Sequence, residues 1–207
     1  MADLGFLNVV TMRASAVLTS SRPVALLLLL LCSTSGCATT AKTFRVLDAE
    51  TRKPIEGAVA LAEWIDVEGV PGLSYTNTAK IVEAVTDKNG FFQIPAIIGT
   101  LAIQDPHIKV YKPGYVGWDS RWIYLGCYPD ERTLARVIRR EDFSMRDQDI
   151  LLEPWKKEYS FISHGSFMRT TARFEDVGMT ESKYLEVIRY EIPFYTKERA
   201  VLRKKRK

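Results

Sequence analysis

Short apolar segments separated by turn residues succeed one another along the chain from Thr43 onward. Period-two alternation between bounding turn residues predicts β-strands. The last of these segments alternates Ile108 and Val110 with lysines, so one of its faces is predicted to be apolar and the other solvated. Several short strands with regular turns favour an all-β sandwich. The predicted strands are residues 44–47, 57–64, 80–85, 91–94 and 107–112.

Two stretches between these segments predict reversals of the chain. Asn89-Gly90 stands between two apolar segments, and because both residues tolerate a positive φ it predicts a β-hairpin. Residues 69–78 contain Pro71 and Gly72 and are predicted to be a loop.

Helical spacing is found in two other regions. Residues 130–140 place Leu134, Val137 and Ile138 at helical intervals, which predicts a short amphipathic helix within an insertion of about residues 118–147. Beyond Pro154 the pattern is mainly helical, and it is clearest over residues 180–190, with Thr180 as the expected N-cap. Pro193 is expected to interrupt this helix, and residues 196–207 predict a last basic helix or a frayed tail. The apolar side of residues 180–190 is Tyr184, Leu185, Val187 and Ile188.

The N-terminal apolar run covers residues 24–32 and is too short to span a bilayer, which takes about 20 residues. Its length is that of a signal-peptide apolar region, and basic residues precede it while small residues follow it. Residues 1–36 are therefore predicted to be an export signal. Translation could begin at Met1 or at Met12, since the first eleven residues are not needed for this pattern.

Thr34-Ser35-Gly36-Cys37 resembles the lipobox of bacterial lipoproteins, although Thr34 stands where leucine is usual. The resemblance implies cleavage before Cys37, a thioether-linked diacylglycerol on its thiol and a fatty acyl chain, such as palmitate, on the new N-terminus. Ala38, where an aspartate would favour the inner membrane, implies the outer membrane and a domain facing the periplasm. The alternatives are a plain secretory signal with an unmodified cysteine and a cytosolic protein with a buried leucine-rich helix.

Three further motifs, in the order expected, resemble the carboxypeptidase regulatory-like domain, which is a transthyretin-like antiparallel β-sandwich. The resemblance covers residues 43–117 and 148–154 and implies a scaffold, not a catalytic site. It predicts a tether at residues 37–42, a sandwich at 43–154 and a helical extension at 155–207. The matching positions are Val46, Asp48, Thr51, Pro54, Ile55, Gly57 and Ala58, then Thr86, Asp87, Gly90, Phe92 and Ile94, then Lys112, Gly114 and Tyr115.

Charge and cysteine content change this picture little. The formal net charge is +4, but residues 203–207 alone supply +5, so the rest of the chain is at 4 − 5 = −1. This basic tail is either a solvated end or a contact for anionic lipid headgroups, and nucleic acid is not an expected partner. After removal of residues 1–36 and lipidation of Cys37, Cys127 is the one remaining cysteine, so no intramolecular disulfide is expected.

Candidate chemistry is sparse. The chain has two histidines, His107 and His164, and neither stands near a cysteine or carboxylate at a spacing typical of a metal site. No nucleophile elbow or phosphate-binding loop is present. No catalytic residue, metal or cofactor is therefore predicted. Four aromatic residues either cover the edge of the sandwich or form a surface for carbohydrate or peptide: Trp118, Trp122, Tyr124 and Tyr128.

Three functions remain open at this point. The first is a non-enzymatic, lipid-anchored envelope module that binds a protein or glycan or has a structural role. The second is an accessory subunit of an envelope transport or secretion complex, docked through the C-terminal helices. The third is a hydrolase that uses His164 with acidic side chains.

Overall fold

A computed structural model describes residues 39–70, 73–99, 101, 104–129, 131–146, 149–170, 174 and 177–205. The predicted signal peptide, the residues that resemble a lipobox, with Cys37, and the last two residues of the basic tail lie outside the described residues. The described chain is mainly β, as predicted, with helices after the last strand. The strands are β1 Lys42–Asp48, β2 Val59–Val70, β3 Leu73–Val85, β4 Phe91–Ile94, β5 His107–Tyr111, β6 Trp118–Asp119, β7 Trp122–Cys127, β8 Ala135–Arg139 and β9 Asp149–Leu152. The helices are α1 Phe161–Phe167, α2 Lys183–Ile188 and α3 Ile192–Lys205, with a 3₁₀ turn at Arg189–Glu191 between the last two.

Two sheets share one hydrophobic core. The strand order is β4-β1-β9 in one sheet and β3-β2-β5-β6 in the other. Strands β1 and β9 run parallel, so the prediction of an antiparallel sandwich is wrong for this pair. The pairs of the four-stranded sheet and the β1–β4 pair are antiparallel. Buried residues of both sheets form the core: Phe44, Val46, Phe92, Ile94, Ile150 and Leu152 from the first, and Ala60, Ala62, Trp64, Ile108, Val110 and Trp118 from the second.

The turn at Asn89-Gly90 does not close a hairpin, so that prediction is wrong. It joins β3 of one sheet to β4 of the other, and β4 pairs with β1 instead. Gly90 has a φ of +80°, and a Cβ on it would lie 2.5 Å from the carbonyl oxygen of Val46. The backbone N–H of Val46 donates to the Gly90 carbonyl at 2.8 Å. The glycine therefore serves the close approach of the turn to β1 as well as the turn itself.

The predicted loop at residues 69–78 is also wrong over most of its length. Strand β2 continues to Val70 and β3 begins at Leu73, and the two pair antiparallel throughout. The turn residues Pro71 and Gly72 lie outside the described residues. Threonine, tyrosine and valine in this stretch favour extended backbone. Because an antiparallel partner strand is present, the stretch forms a strand although its composition is polar.

The insertion contains a β-hairpin and not the predicted helix. Strands β7 and β8 pair antiparallel, with Ile123 opposite Ile138 and Tyr124 opposite Val137. Val137 and Ile138 are 38% and 49% exposed, so the residues that suggested an apolar helical face are not buried against a core. β-branched side chains favour strands, and a short segment with three apolar residues fits either period.

The C-terminal extension is helical, as predicted. Helix α2 is capped by Ser182 and not by Thr180, because the Ser182 hydroxyl accepts the N–H of Leu185 at 3.1 Å. Helix α2 ends at Ile188 and a 3₁₀ turn separates it from α3, so this helix stops before Pro193, as predicted. Pro193 itself stands in the first turn of α3, where its missing N–H costs nothing. None of the helices in the described part of the chain has the length and apolar character needed to cross a bilayer.

Candidate functional site

The outer face of the four-stranded sheet carries charged side chains that the C-terminal extension buries. Val59 and Leu61 on β2 and Tyr111 on β5 belong to a second core cluster with Met168 and Tyr184. Strand alternation and register place Glu63, His107, Lys109 and Asp119 on this same face. The prediction that the lysines of β5 face solvent is wrong for Lys109, since it is only 5% exposed.

Asp119 holds the first part of this buried polar cluster together. Its Oδ1 lies 2.8 Å from His107 Nε2 and accepts the N–H of Arg121 at 2.7 Å, while Lys109 Nζ lies 3.5 Å from Oδ2. Burial raises the pKa of Asp119, but the hydrogen bond and charge of His107 and the charge of Lys109 outweigh it, and the pKa lies below its ordinary value. Lys109 Nζ also donates to the carbonyl of Arg169 at 2.5 Å. This ammonium therefore ties the sheet to the segment that follows α1.

Glu63 is a second buried carboxylate on this face, opposite His107 in the β2–β5 register. It is 1% exposed, and its Oε1 accepts the hydroxyl of Thr170. Its Oε2 has no hydrogen-bond partner among the described residues.

His164 lies at the centre of the second polar group. Its Nε2 accepts the backbone N–H of Gly117 at 2.9 Å, so the ring proton is on Nδ1, which donates to the Glu191 carboxylate at 2.9 Å. The Tyr111 hydroxyl donates to Glu191 Oε1 at 2.6 Å. His164 is fully buried, with both ring nitrogens in use. Neither nitrogen is then available to act as a general base or to bind a metal.

Aromatic rings surround His164 and isolate it from water. Tyr124 and Trp155 contact it edge-on, with ring centroids 5.2 and 5.1 Å away. The Tyr124 hydroxyl is hydrogen bonded to Ser163 Oγ at 2.6 Å. Burial raises the pKa of Tyr124 to about 12, and burial together with the charge of Glu191 raises the pKa of Tyr111. These hydroxyls therefore remain protonated at neutral pH and serve as hydrogen-bond groups.

The four aromatic residues proposed as a binding surface separate into two pairs. Trp118 is 6% exposed and belongs to the shared core, where its ring meets that of Phe143 edge-on at 4.8 Å. Tyr124 is 3% exposed beneath α1, whereas Trp122 and Tyr128 are 44% and 43% exposed. Two of the four are therefore unavailable to a ligand. Cys127 is a free, half-buried thiol, and Cys37 lies outside the described residues.

A cavity of about 420 Å³ lies among the three helices and has a mostly apolar wall with polar groups at its edge. Phe161, Leu185 and Ile188 supply apolar surface, and Arg169 and Arg189 also line the cavity. Neither guanidinium has an ion pair with a described residue. Over the described ranges, no three or more histidine, cysteine or acidic side chains are grouped as a metal site would require.

The sequence suggested His164 together with acidic side chains, but it did not predict the partners within either buried polar group. His164 and Glu191 are separated by 27 positions, and Tyr111 and Glu191 by 80. The sequence feature that could have indicated them was the pair of polar residues on β5, His107 and Lys109. Polar residues at alternate strand positions usually face solvent, so they did not show that this face is covered. The fold, not a local motif, brings these groups together.

Comparisons with known proteins do not supply a family. No protein-family model and no curated protein matches the chain. Among solved structures, a 9R-lipoxygenase from Cyanothece PCC8801 aligns with 58% of this chain and 16% of its own, at 15% identity and a TM-score of 0.22. A similarity at this score supports no inference about fold or activity.

Proposed function

We propose that this chain is a lipid-anchored protein of the bacterial cell envelope, held by acyl chains on Cys37 and acting as a non-enzymatic binding or structural module. The observation that carries the proposal is that Thr39, two positions after the predicted cleavage site, is hydrogen bonded to the domain. Thr39 donates its N–H to the Ile97 carbonyl at 2.8 Å, and its hydroxyl accepts the Ile97 N–H at 2.8 Å. Cleavage before Cys37 would leave these contacts intact.

The domain itself is proposed to be a transthyretin-like sandwich. The two later sequence motifs both contact the first one, within the segment from the end of β1 to the start of β2, which supports this assignment. The Tyr115 hydroxyl donates to Asp48 Oδ2 at 3.0 Å, and the Thr86 hydroxyl donates to the Ile55 carbonyl at 2.7 Å and accepts the Ala58 N–H at 2.8 Å. Residues matched in the resemblance therefore stabilise the scaffold, as the resemblance implies.

A non-enzymatic role is favoured by how the histidines are used. Both nitrogens of His164 are hydrogen bonded inside the protein, and His107 pairs with a buried carboxylate. The hydrolase alternative, which needs a histidine in contact with substrate, therefore has no geometric support at His164. The apolar cavity among the helices is the better candidate for a binding site.

Docking to a partner of an envelope complex is the second candidate. It rests on the apolar side chains that α3 and the turn before it expose. Tyr190, Ile192 and Val201 are 53%, 55% and 47% exposed. Crosslinking in cells followed by capture of the tagged chain would test it. Ile192→Asp is expected to abolish a specific partner band, and Lys88→Asp, on the exposed turn before β4, is expected to leave it.

Acylation is tested by growing cells with labelled palmitate and measuring the intact mass of the mature chain. Label in the wild type and in Cys127→Ser, absent in Cys37→Ser, is the expected result, with the mature chain beginning at Cys37. Membrane fractionation should then release Cys37→Ser into the soluble fraction. Label that persists in Cys37→Ser would overturn the lipid anchor, whatever the fold of the domain.

A further inference from the structure

The outer part of the β2–β3 pair extends beyond the sheet to which it belongs. Strand β5 pairs with β2 only as far as Glu63, and a register shift between Trp64 and Ile65 marks the point where the pair leaves the sheet. Residues 65–70 and 73–78, here called the ribbon, pair with each other alone in the strand register. Six residues of strand project about 20 Å. A two-stranded ribbon in water is marginally stable, so its apolar groups need an explanation.

The ribbon starts at the same end of the domain as Thr39. A small cavity of about 40 Å³ is lined by Thr39, Trp64, Ile97 and Pro106. Lys42, which begins β1, is paired with Ile94 at this end. Cys37 precedes Thr39 by two positions, and two residues reach at most about 7 Å. An anchor at Cys37 therefore holds the base of the ribbon close to the bilayer surface.

The tip of the ribbon has the composition of a membrane-contacting segment. Residues 69–79 contain no charged side chain. Val70 and Leu73 stand directly opposite each other, and Tyr75 follows on the same face. They are 60%, 79% and 56% exposed. Ile98, next to the residue that binds Thr39, is 78% exposed. Apolar exposure of this kind, concentrated at one end of a domain, marks an interaction surface.

We propose that the ribbon tip, formed by Val70, Leu73 and Tyr75, inserts with Ile98 into the interfacial region of the phospholipid bilayer that holds the acyl chains. The proposal rests on the acylation of Cys37 proposed above. The occupant is a bilayer because residues 69–79 carry no charged side chain and because the anchor holds the base of the ribbon, and with it Ile98, beside lipid. The consequence is a fixed orientation of the domain on the membrane.

Fluorescence of a probe placed on the tip tests this. The mature acylated chain with Cys127→Ser and Leu73→Cys is labelled with an environment-sensitive fluorophore and placed in phosphatidylethanolamine–phosphatidylglycerol liposomes. Lys88→Cys is the matched control, because that exposed turn lies at the opposite end of β4 from Ile94. The expected result is a blue shift and several-fold stronger quenching by nitroxide lipids at position 73 than at position 88. Val70→Cys supplies a second tip position if Leu73→Cys does not fold.

The outcomes separate the proposals. Intact mass, measured first, shows whether the chain carries acyl groups, and an unacylated chain overturns the anchor and the insertion together. An acylated chain whose position 73 resembles position 88 overturns the insertion alone. A blue shift that is present in liposomes but absent in nanodiscs that each hold one copy of the protein would indicate that the tip contacts a second copy of the chain. That result also overturns the insertion into the bilayer.

Discussion

Tyr115 donates a hydrogen bond to the Asp48 carboxylate at 3.0 Å, across 67 positions of sequence. The other Asp48 oxygen accepts the N–H and the hydroxyl of Thr51 at 2.7 and 3.0 Å. One carboxylate thus closes the turn after β1 and fastens the turn after β5 to it. The first and third of the three motifs that suggested a family are in this way joined by a direct contact.

The Asp48 contact predicts a dependence of stability on pH. Hydrogen bonds from Thr51 lower the pKa of Asp48, so the stabilisation is present above the ordinary value of 3.8 and is lost as the pH falls through the folded-state pKa. Tyr115→Phe should lower the free energy of unfolding at pH 7 and weaken this acid dependence. Denaturant melts at pH 7 and pH 3 measure both, and Tyr190→Phe is the control, because Tyr190 is 53% exposed. Equal acid dependence in Tyr115→Phe and the wild type would contradict the assignment.

A substitution in the Asp119 cluster is predicted to lower the free energy of unfolding more than Tyr115→Phe does. Asp119→Asn leaves Lys109 buried without its carboxylate, which should cost about 3 kcal/mol of unfolding free energy at pH 7. Because the pKa of Asp119 lies below its ordinary value, this difference should shrink as the pH falls below about 4. Chemical denaturation across that range measures it. Asp142→Asn is the control, since its side chain is 70% exposed, and a loss as large there would contradict the prediction.

Glu191 is predicted to hold α1 against the sheet. Glu191→Ala removes the acceptor of both Tyr111 and His164 inside the protein, and the two unsatisfied groups should cost about 3 kcal/mol of unfolding free energy. Tyr111→Phe removes one donor and should cost about 1 kcal/mol. Thermal or urea unfolding separates the two. Glu186→Ala, on an exposed position of α2, is the control, and a similar loss in Glu186→Ala would contradict the prediction.

Gly90 is predicted to tolerate no side chain. Its φ of +80° and the 2.5 Å approach of a Cβ to the Val46 carbonyl should make Gly90→Ala destabilising by at least about 2 kcal/mol. Gly165→Ala is the matched control, because this position is helical and a Cβ there meets nothing within 4 Å. It should gain about 0.5–1 kcal/mol from helix propensity. A neutral Gly90→Ala in denaturant melts would show that the turn relaxes.

The local sequence patterns correctly predicted several strands and the C-terminal helices. The strands around Phe44, Phe92 and Ile108 were placed from alternation and turn residues, and the helices after Pro154 from their periodicity. The predictions were wrong where one sequence pattern is compatible with two structures. Val137 and Ile138 suit a helix or a strand, and the choice was made by pairing with β7. Asn89-Gly90 suits a hairpin, but β4 found its partner in β1.

The sequence by itself determined the class of the fold, the helical extension, and the expectation of an anchor at Cys37, because each follows from composition or from neighbouring residues. The tertiary structure decided which strands pair, where the charged face of the second sheet is covered, and how His164 and Glu191 meet. Such contacts depend on which segments pack against each other. Residues separated by tens of positions show no local sequence pattern from which this packing can be predicted. Thr39, Ile98 and the ribbon also lie at one end of the domain through tertiary contacts, and so the sequence alone did not group them.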